Sequence, residues 1–185
     1  MQSLNTLPDN LPVPEDDGAC QHLIGMAIPD IALTSTQGSL INLSHIKGWL
    51  VIYCYPMTGQ PNQALPTGWD NIPGARGCTP QSCAFRDHHQ EIQQLGAQVF
   101  GLSTQTTAYQ TEAAQRLHLP FALLSDAQLA LTNALKLPTF EVAQMRLTKR
   151  VTLIALDGKI THTFYPVFPP DQNAAQVIHW LQQHV

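Results

Sequence analysis

Residues 77–87 read GCTPQSCAFRD and place Cys78 and Cys83 five positions apart at the predicted start of a helix. Ahead of them, residues 49–55 read WLVIYCY, an apolar and β-favouring run typical of a central strand buried on both faces. A thiol at a helix N-terminus is in a setting that favours the thiolate. The stretch therefore predicts a core strand, a loop and a helix that begins at a redox-active cysteine.

Strands and helices alternate along the rest of the chain. An initial hairpin is predicted over residues 31–43, and the turn Asp157-Gly158 gives a second hairpin signal. Further strands are predicted at 97–103, 121–124, 150–156 and 160–165, and helices at 78–95, 107–117, 126–135 and from Pro169 onward. This order predicts an α/β fold with a mixed central sheet flanked by helices and with an N-terminal hairpin extension.

Two segments lack helix or strand periodicity. Residues 1–26 are rich in Pro, Asn, Asp and Gly and are predicted to form an extended arm, which leaves one domain over residues 27–185. Residues 56–77 contain four prolines and four glycines. Because a loop of this length inside a compact domain is usually functional, we interpret it as a long active-site loop.

Composition excludes several function classes. The formal net charge of −4 and a charged fraction of 12% give no electrostatic footprint for nucleic acid. The apolar runs are too short to cross a membrane, and no Lys or Arg precedes Lys47, so the charged region of a signal peptide is missing. We therefore expect no nucleic-acid partner, no membrane and a cytoplasmic location.

The four cysteines do not form a metal pattern. Cys78 and Cys83 have no second Cys or His pair at ligand spacing, and adjacent His88 and His89 point about 100° apart on a helix. We expect no metal and no cofactor. Cys54 is predicted to be plain core, whereas Cys20 in the arm is either incidental or a third redox thiol.

The remaining thiols fit the reduction of a peroxide without a cofactor. A thiolate attacks the O–O bond, and the sulfenic acid that forms condenses with a second thiol to a disulfide. Cys78 supplies the nucleophile and Cys83 the second thiol. In an intact helix their Cα atoms would lie roughly 8.7 Å apart, beyond the ~7 Å that a disulfide allows. The first turns are therefore predicted to unwind before the two cysteines bond.

The chain resembles the peroxiredoxins of the two-cysteine type called PrxQ or bacterioferritin-comigratory protein. The matching residues are Gly77, Cys78, Thr79, Cys83, Phe85, Arg86 and Asp87, with Tyr55-Pro56 before the loop and RVTLIALDG over residues 150–158. The resemblance covers roughly residues 26–185. It implies a thioredoxin-like fold, Cys78 as the peroxidatic and Cys83 as the resolving cysteine, and Arg150 as the guanidinium beside the thiolate. It also implies hydrogen peroxide and organic hydroperoxides as substrates, a thioredoxin-type protein as reductant, and a monomer or weak homodimer.

One departure concerns the hydroxyl that the family places three residues before the cysteine, where this chain has Ala75. The family's proline matches Pro56, and an insertion separates it from Cys78. Thr58 is the predicted replacement for the hydroxyl, with Thr67 as a weaker candidate. Arg76 competes with Arg150 for the electrostatic role. The substrate pocket is predicted to include Pro56, Gly77 and Thr79, and Trp69 and Pro66 either line it or pack the loop down.

Two other functions stay open from the residues. A thiol–disulfide oxidoreductase on the same fold would usually carry two residues between its cysteines, whereas this chain has four. A non-enzymatic thioredoxin-like module for redox sensing or interaction would use the long loop and the arm instead. An unreactive Cys78 would favour that module.

Overall fold

The computed structural model describes residue 4 and residues 6–185, so positions 1–3 and 5 of the predicted arm lie outside it. Strands in the described part are β1 (Ala32–Ser35), β2 (Leu40–Asn42), β3 (Trp49–Cys54), β4 (Ala97–Ser103), β5 (Leu123–Ser125), β6 (Thr139–Val142), β7 (Met145–Thr148), β8 (Val151–Leu156) and β9 (Lys159–Phe164). The α-helices there are α1 (Cys78–Asp87), α2 (His89–Gln94), α3 (Thr107–Arg116), α4 (Ala130–Ala134) and α5 (Asn173–Gln182).

The main sheet has seven strands in the order β2-β1-β5-β4-β3-β8-β9. Strand β4 pairs in parallel with both β3 and β5, while the other neighbours are antiparallel. The predicted hairpin β1–β2 joins this sheet through β5 at one edge. The mixed sheet with helices on its faces confirms the α/β, thioredoxin-like fold class.

Strand β3 lies inside the sheet because its side chains are apolar on both faces. Leu50, Ile52 and Cys54 belong to the core on one face, and Val51 and Tyr53 belong to the core on the other. All five are at most 1% exposed. Burying each aliphatic side chain of this kind stabilises the fold by about 1.5–3 kcal/mol. The strand is therefore a rigid base for the loop that follows it.

The structure differs from the sequence prediction in three elements. Residues 139–148, which carried no predicted strand, form the separate hairpin β6–β7. The predicted helix over residues 78–95 is broken at His88 into α1 and α2. Cys20, predicted to lie in a polar arm, is 3% exposed and belongs with Leu23 to the main core, because a short helical turn at residues 21–23 directs both inward.

Helix α5 packs on the face of the sheet that carries Val51 and Tyr53, and its Ala174, Val177 and Leu181 are fully buried. Near its end the indole of Trp180 stacks on the imidazoles of His184 and His162, with ring centroids 3.8 Å and 5.0 Å away. Among the described residues, no helix has the length and apolar character that a membrane crossing requires.

Candidate active site

Helix α1 begins at Cys78, directly after Gly77. Gly77 has a φ of 106°, and a Cβ there would lie 2.4 Å from Cγ of Pro170 and 2.8 Å from Cδ2 of Leu7. A side chain at this position would therefore be both strained and crowded. The glycine fixes how the chain enters the helix and so fixes the place of the cysteine.

The sulfur of Cys78 is buried beside a cation. Cys78 is 3% exposed, and Nη2 of Arg150 donates to its Sγ over 3.2 Å. The carbonyl oxygen of Ala75 lies 3.7 Å from Sγ and accepts a hydrogen bond from the thiol. The helix N-terminus and the guanidinium both favour negative charge on this sulfur. The sulfur thus faces a cationic donor at a helix N-terminus, in a site that is almost closed to solvent.

Arg150, immediately before β8, also holds the backbone that leads to the cysteine. Its Nε donates to the carbonyl of Gly74 at 3.3 Å, and its Nη2 donates to those of Ala75 and Arg76 at 3.1 Å and 3.2 Å. None of the ion pairs among the described residues includes Arg150, although it is only 3% exposed. A buried cation surrounded by neutral acceptors favours an anion at the one place left, the sulfur.

A buried amide network orients Arg150. Gln81 accepts a hydrogen bond from Nη1 of Arg150 and donates from Nε2 to Oδ1 of Asn173 over 2.9 Å. Thr152 donates to the same Asn173 oxygen over 2.6 Å. The network ties α1, β8 and α5 together, which rigidifies the guanidinium. Sequence reasoning missed Gln81 and Asn173; the signal for Gln81 is its place in the first turn of α1, three residues after Cys78.

Cys83 lies in the same continuous helix as Cys78, and both are free thiols. Burial raises the pKa of the Cys83 thiol, and Arg86 opposes this rise. The residues on either side are held to β3: Oη of Tyr53 donates to Oγ of Ser82 over 3.1 Å, and its ring stacks on Phe85 with centroids 4.5 Å apart. With α1 intact, helix geometry keeps the two cysteines too far apart for a disulfide.

The structure does not bring the hydroxyl of Thr58 to the sulfur. Its Oγ1 donates to Oε1 of Gln105 over 3.2 Å, and Gln105 also bonds the backbone N–H and C=O of Thr58. No side-chain hydroxyl is hydrogen-bonded to Sγ of Cys78 among the contacts of the described residues. A role for Thr58 toward a bound peroxide therefore stays a prediction, and Thr67 is exposed.

The long loop packs on the unpredicted hairpin. Met57, Trp69 and Ala75 form a small core with Leu147 of β7, and Trp69 contacts Phe140 of β6 with ring centroids 6.1 Å apart. Trp69 also lines the space beside Cys78. Trp69 therefore packs the loop down and also lines the space beside Cys78, and its role in a substrate pocket stays a prediction.

The other candidate pocket residues are distributed around the sulfur. Gly77, Thr79 and Arg76 line the space beside Cys78, whereas Pro56 is buried where the loop leaves β3 and does not line it. Arg76 is 6% exposed and pairs with Asp70 at 3.2 Å. Of the two rival arginines, Arg150 contacts Sγ through its Nη2.

Metal ligands do not cluster in the structure: no group of three or more His, Cys, Asp or Glu side chains among the described residues is placed to hold an ion. The polar groups around Cys78 are guanidinium, amide and backbone groups. These groups can polarise a small oxygen compound at the sulfur by hydrogen bonding alone.

Comparison with known sequences supports the family resemblance of residues 77–87. The family model described as Redoxin matches residues 23–178. The chloroplastic peroxiredoxin Q of Oryza sativa subsp. japonica is 27% identical over 159 residues, which covers 85% of this chain and 66% of that protein. Peroxiredoxin Bcp of Bacillus subtilis (strain 168) is 28% identical over 156 residues, or 82% of this chain and 90% of that protein. The chain spans less than two thirds of the length of the plant relatives, and only 41% of the peroxiredoxin Q of Populus jackii.

Solved structures share the fold. The peroxidoxin BcpB of Mycobacterium tuberculosis has a TM-score of 0.71 at 24% identity, covering 88% of this chain and 97% of that one. Peroxiredoxin Q of Xanthomonas campestris has a TM-score of 0.66 at 23% identity, covering 84% and 91%. The resemblance read from residues 77–87 is confirmed: this chain belongs to the Redoxin family, and the relatives and solved structures that it resembles are peroxiredoxins of the Q/Bcp type.

Proposed function

We propose that this chain is a thiol-dependent peroxidase that reduces hydrogen peroxide and organic hydroperoxides. The observation that carries the proposal is the sulfur of Cys78 at the first residue of α1 with Nη2 of Arg150 only 3.2 Å away. Family membership supports the same activity. The cation and the helix N-terminus stabilise the thiolate, which is the form that attacks peroxides.

In the first step the thiolate of Cys78 attacks the terminal oxygen of the hydroperoxide. A sulfur–oxygen bond forms and the O–O bond breaks, so the sulfur loses two electrons and becomes a sulfenic acid. The leaving oxygen takes a proton and departs as water or an alcohol. Arg150 donates hydrogen bonds to the atoms that carry the negative charge as this charge moves from sulfur to oxygen. This lowers the barrier of the reaction.

In the second step Cys83 attacks the sulfenic sulfur of Cys78. The S–S bond forms and the hydroxyl leaves with a proton as water. A dithiol reductant of the thioredoxin type then transfers two electrons and two protons, which restores both thiols. Two observations support Cys83 as the second thiol. It lies on the same helix as Cys78, and it is partly exposed and so accessible to a reductant.

The test is single-turnover reaction of the reduced protein with one equivalent of hydrogen peroxide, followed by mass spectrometry. Wild type should consume the peroxide and lose two thiols. Cys83→Ser should still consume one equivalent and retain a sulfenic acid at Cys78. Cys78→Ser should consume none, and a wild-type rate in that variant would rule out the proposal.

A thiol–disulfide oxidoreductase is the second candidate, and the burial of Cys78 weighs against it. A protein disulfide must reach the attacking sulfur directly, whereas a 3% exposed residue admits only small molecules. Reduction of insulin-type disulfides by a protein that ignores peroxide would select this function. Inertness toward both would select the non-enzymatic module.

A further inference from the structure

Two spaces adjoin each other in the 56–77 loop. The larger, a cavity of about 610 Å³, is walled by residues 60–66 and 68–71 together with Leu4. The smaller, about 10 Å³, lies beside the sulfur of Cys78. Three residues belong to both walls, namely Leu4, Leu65 and Trp69. These side chains are therefore the partition between the cavity and the reactive sulfur.

The two volumes suit different parts of a molecule. A cavity of 610 Å³ falls within the range of about 300–1,000 Å³ found for small-molecule sites. The space at Cys78 is about that of one water molecule, so with the partition in place it accepts little more than an O–O group. The larger cavity shares three wall residues with this space and is large enough to hold the remainder of an organic hydroperoxide.

The cavity wall is apolar where it faces Cys78. Trp69 is 3% exposed there, and Leu65 and Pro66 are half-buried beside it. Polar residues line the same cavity but not the space at Cys78, namely Gln60, Asn62, Gln63, Asp70 and Asn71. An apolar organic group would bury itself against the indole and the leucines.

Leu4 is the part of the partition that belongs to the N-terminal arm and not to the 56–77 loop. It is half-buried and lies against Gly59, where a Cβ would meet its Cδ2 at 2.7 Å. Among the described residues between 4 and 17, no backbone–backbone hydrogen bond reaches the rest of the chain. Further along the arm, Asp17 accepts hydrogen bonds from Lys149 and Tyr165. Trp69, by contrast, is packed on Phe140.

We propose that the cavity walled by residues 60–71 binds the apolar organic group of an alkyl or aralkyl hydroperoxide, and that Leu4 determines which hydroperoxides reach Cys78. This rests on the proposed peroxidase function. The hydroperoxide enters with its organic group in the cavity and its O–O bond at the sulfur. When the S–O bond forms and the O–O bond breaks, the alcohol that leaves still carries the organic group in the cavity.

Ala64 allows a test that does not touch the site of chemistry, because it lies in the wall of the large cavity and not of the small one. Ala64→Trp fills the cavity. The second-order rate constant for cumene hydroperoxide should fall about tenfold or more, while that for hydrogen peroxide stays within twofold. Ala127→Trp, at an exposed alanine that lines neither space, is the matched control.

Leu4→Ala should act in the opposite direction. It should raise the ratio of the second-order rate constant for cumene hydroperoxide to that for hydrogen peroxide about fivefold. Leu40→Ala, at an exposed leucine, is its control and should leave the ratio unchanged. Unchanged ratios in both Ala64→Trp and Leu4→Ala would overturn the subsite while leaving the peroxidase function intact. A wild-type protein that consumes neither peroxide would instead refute the function itself.

Discussion

Arg150 serves both the sulfur and the backbone that carries it. Its guanidinium contacts Sγ of Cys78 and the carbonyls of Gly74, Ala75 and Arg76. The planar fork suits such divergent acceptors, whereas a lysine ammonium would act as a point charge. The same group thus couples the geometry of the loop to the reactivity of the thiol.

Arg150→Lys should therefore lower the rate of peroxide reduction about 10²–10³-fold, the usual cost of losing a positioned donor. Buried carbonyls left without a donor should also lower the free energy of unfolding by about 2 kcal/mol. Rapid-quench kinetics and urea unfolding measure the two effects. Arg146→Lys, at an exposed arginine on β7, is the control. A rate within threefold of wild type would contradict the role of Arg150.

Cys83 makes disulfide formation dependent on pH. Burial raises the pKa of its thiol above the ordinary value of 9.0, so the thiolate fraction is small at neutral pH and grows as pH rises. The rate of disulfide formation should increase about tenfold for each pH unit and still be rising at pH 9. Acid quenching and thiol alkylation at several pH values measure it. If this rate reached a plateau below pH 8, a step other than attack by Cys83 would limit disulfide formation.

At the scale of elements, α1 must change before its cysteines bond. Unwinding residues 78–83 breaks the hydrogen bonds of Gln81 to Arg150 and Asn173, and that of Ser82 to Tyr53. Phe85, fully buried against Tyr53, can remain as an anchor for the rest of the helix. The helix therefore divides into a first part whose side-chain hydrogen bonds must break on unwinding and a second part held by an aromatic stack.

Tyr53→Phe removes one bond that resists this unwinding. A net hydrogen bond contributes about 0.5–1.5 kcal/mol, so disulfide formation should become about 2- to 10-fold faster while peroxide consumption is unchanged. The same single-turnover measurement gives both rates. Tyr109→Phe, on α3, is the matched control. A slower disulfide step in Tyr53→Phe would mean that the bond guides the rearrangement instead of opposing it.

Element prediction succeeded where residue patterns are strong. The uninterrupted apolar run of β3 and the Asp157-Gly158 turn between β8 and β9 each specify their structure locally. Hairpin β6–β7 was missed because Ala143 and Gln144, with φ of 47° and 62°, form its turn without the Asn or Gly that usually marks one. The helix break at His88 was likewise missed because no proline or glycine stands beside it in the sequence.

The site was predictable only in part. The proposed roles of Cys78 and Cys83 rest on their spacing at a helix start as well as on resemblance, whereas the proposed role of Arg150 came from resemblance alone. Its partners Gln81 and Asn173 could not be predicted, because polar residues in a helix usually face solvent and only tertiary packing buries these two. Trp69 lies in a loop without periodicity. Its burial depends on packing against hairpin β6–β7, which the sequence did not predict.

For the molecule as a whole, Asp17 fastens the arm across the domain. Hydrogen bonds from Lys149 and then Tyr165 lower the pKa of Asp17 from 3.8 to about 2. Because the folded pKa is depressed, its stabilisation is present above pH 3.8 and is lost as pH falls through about 2. The arm should therefore hold firmly at neutral pH and loosen in strong acid.

Asp17→Asn should lower the urea midpoint at pH 7, and the difference from wild type should shrink as pH falls toward 2. Urea titrations of both proteins across this range provide the measurement. Asp16→Asn is the control, since that carboxylate accepts from the nearby backbone N–H of Gly18. A difference that grows in acid would contradict the assignment.

The three tryptophans of the chain have very different surroundings. Trp180 lies between two imidazoles and touches Trp49 edge-on, whereas Trp69 is buried in the wall beside Cys78. Of the three, only Trp69 lines the space beside Cys78, so its emission should respond to a ligand there while Trp49 and Trp180 contribute a constant background. The chain thus carries its own optical probe at the reactive sulfur, and its emission spectrum will report ligand entry without any added label.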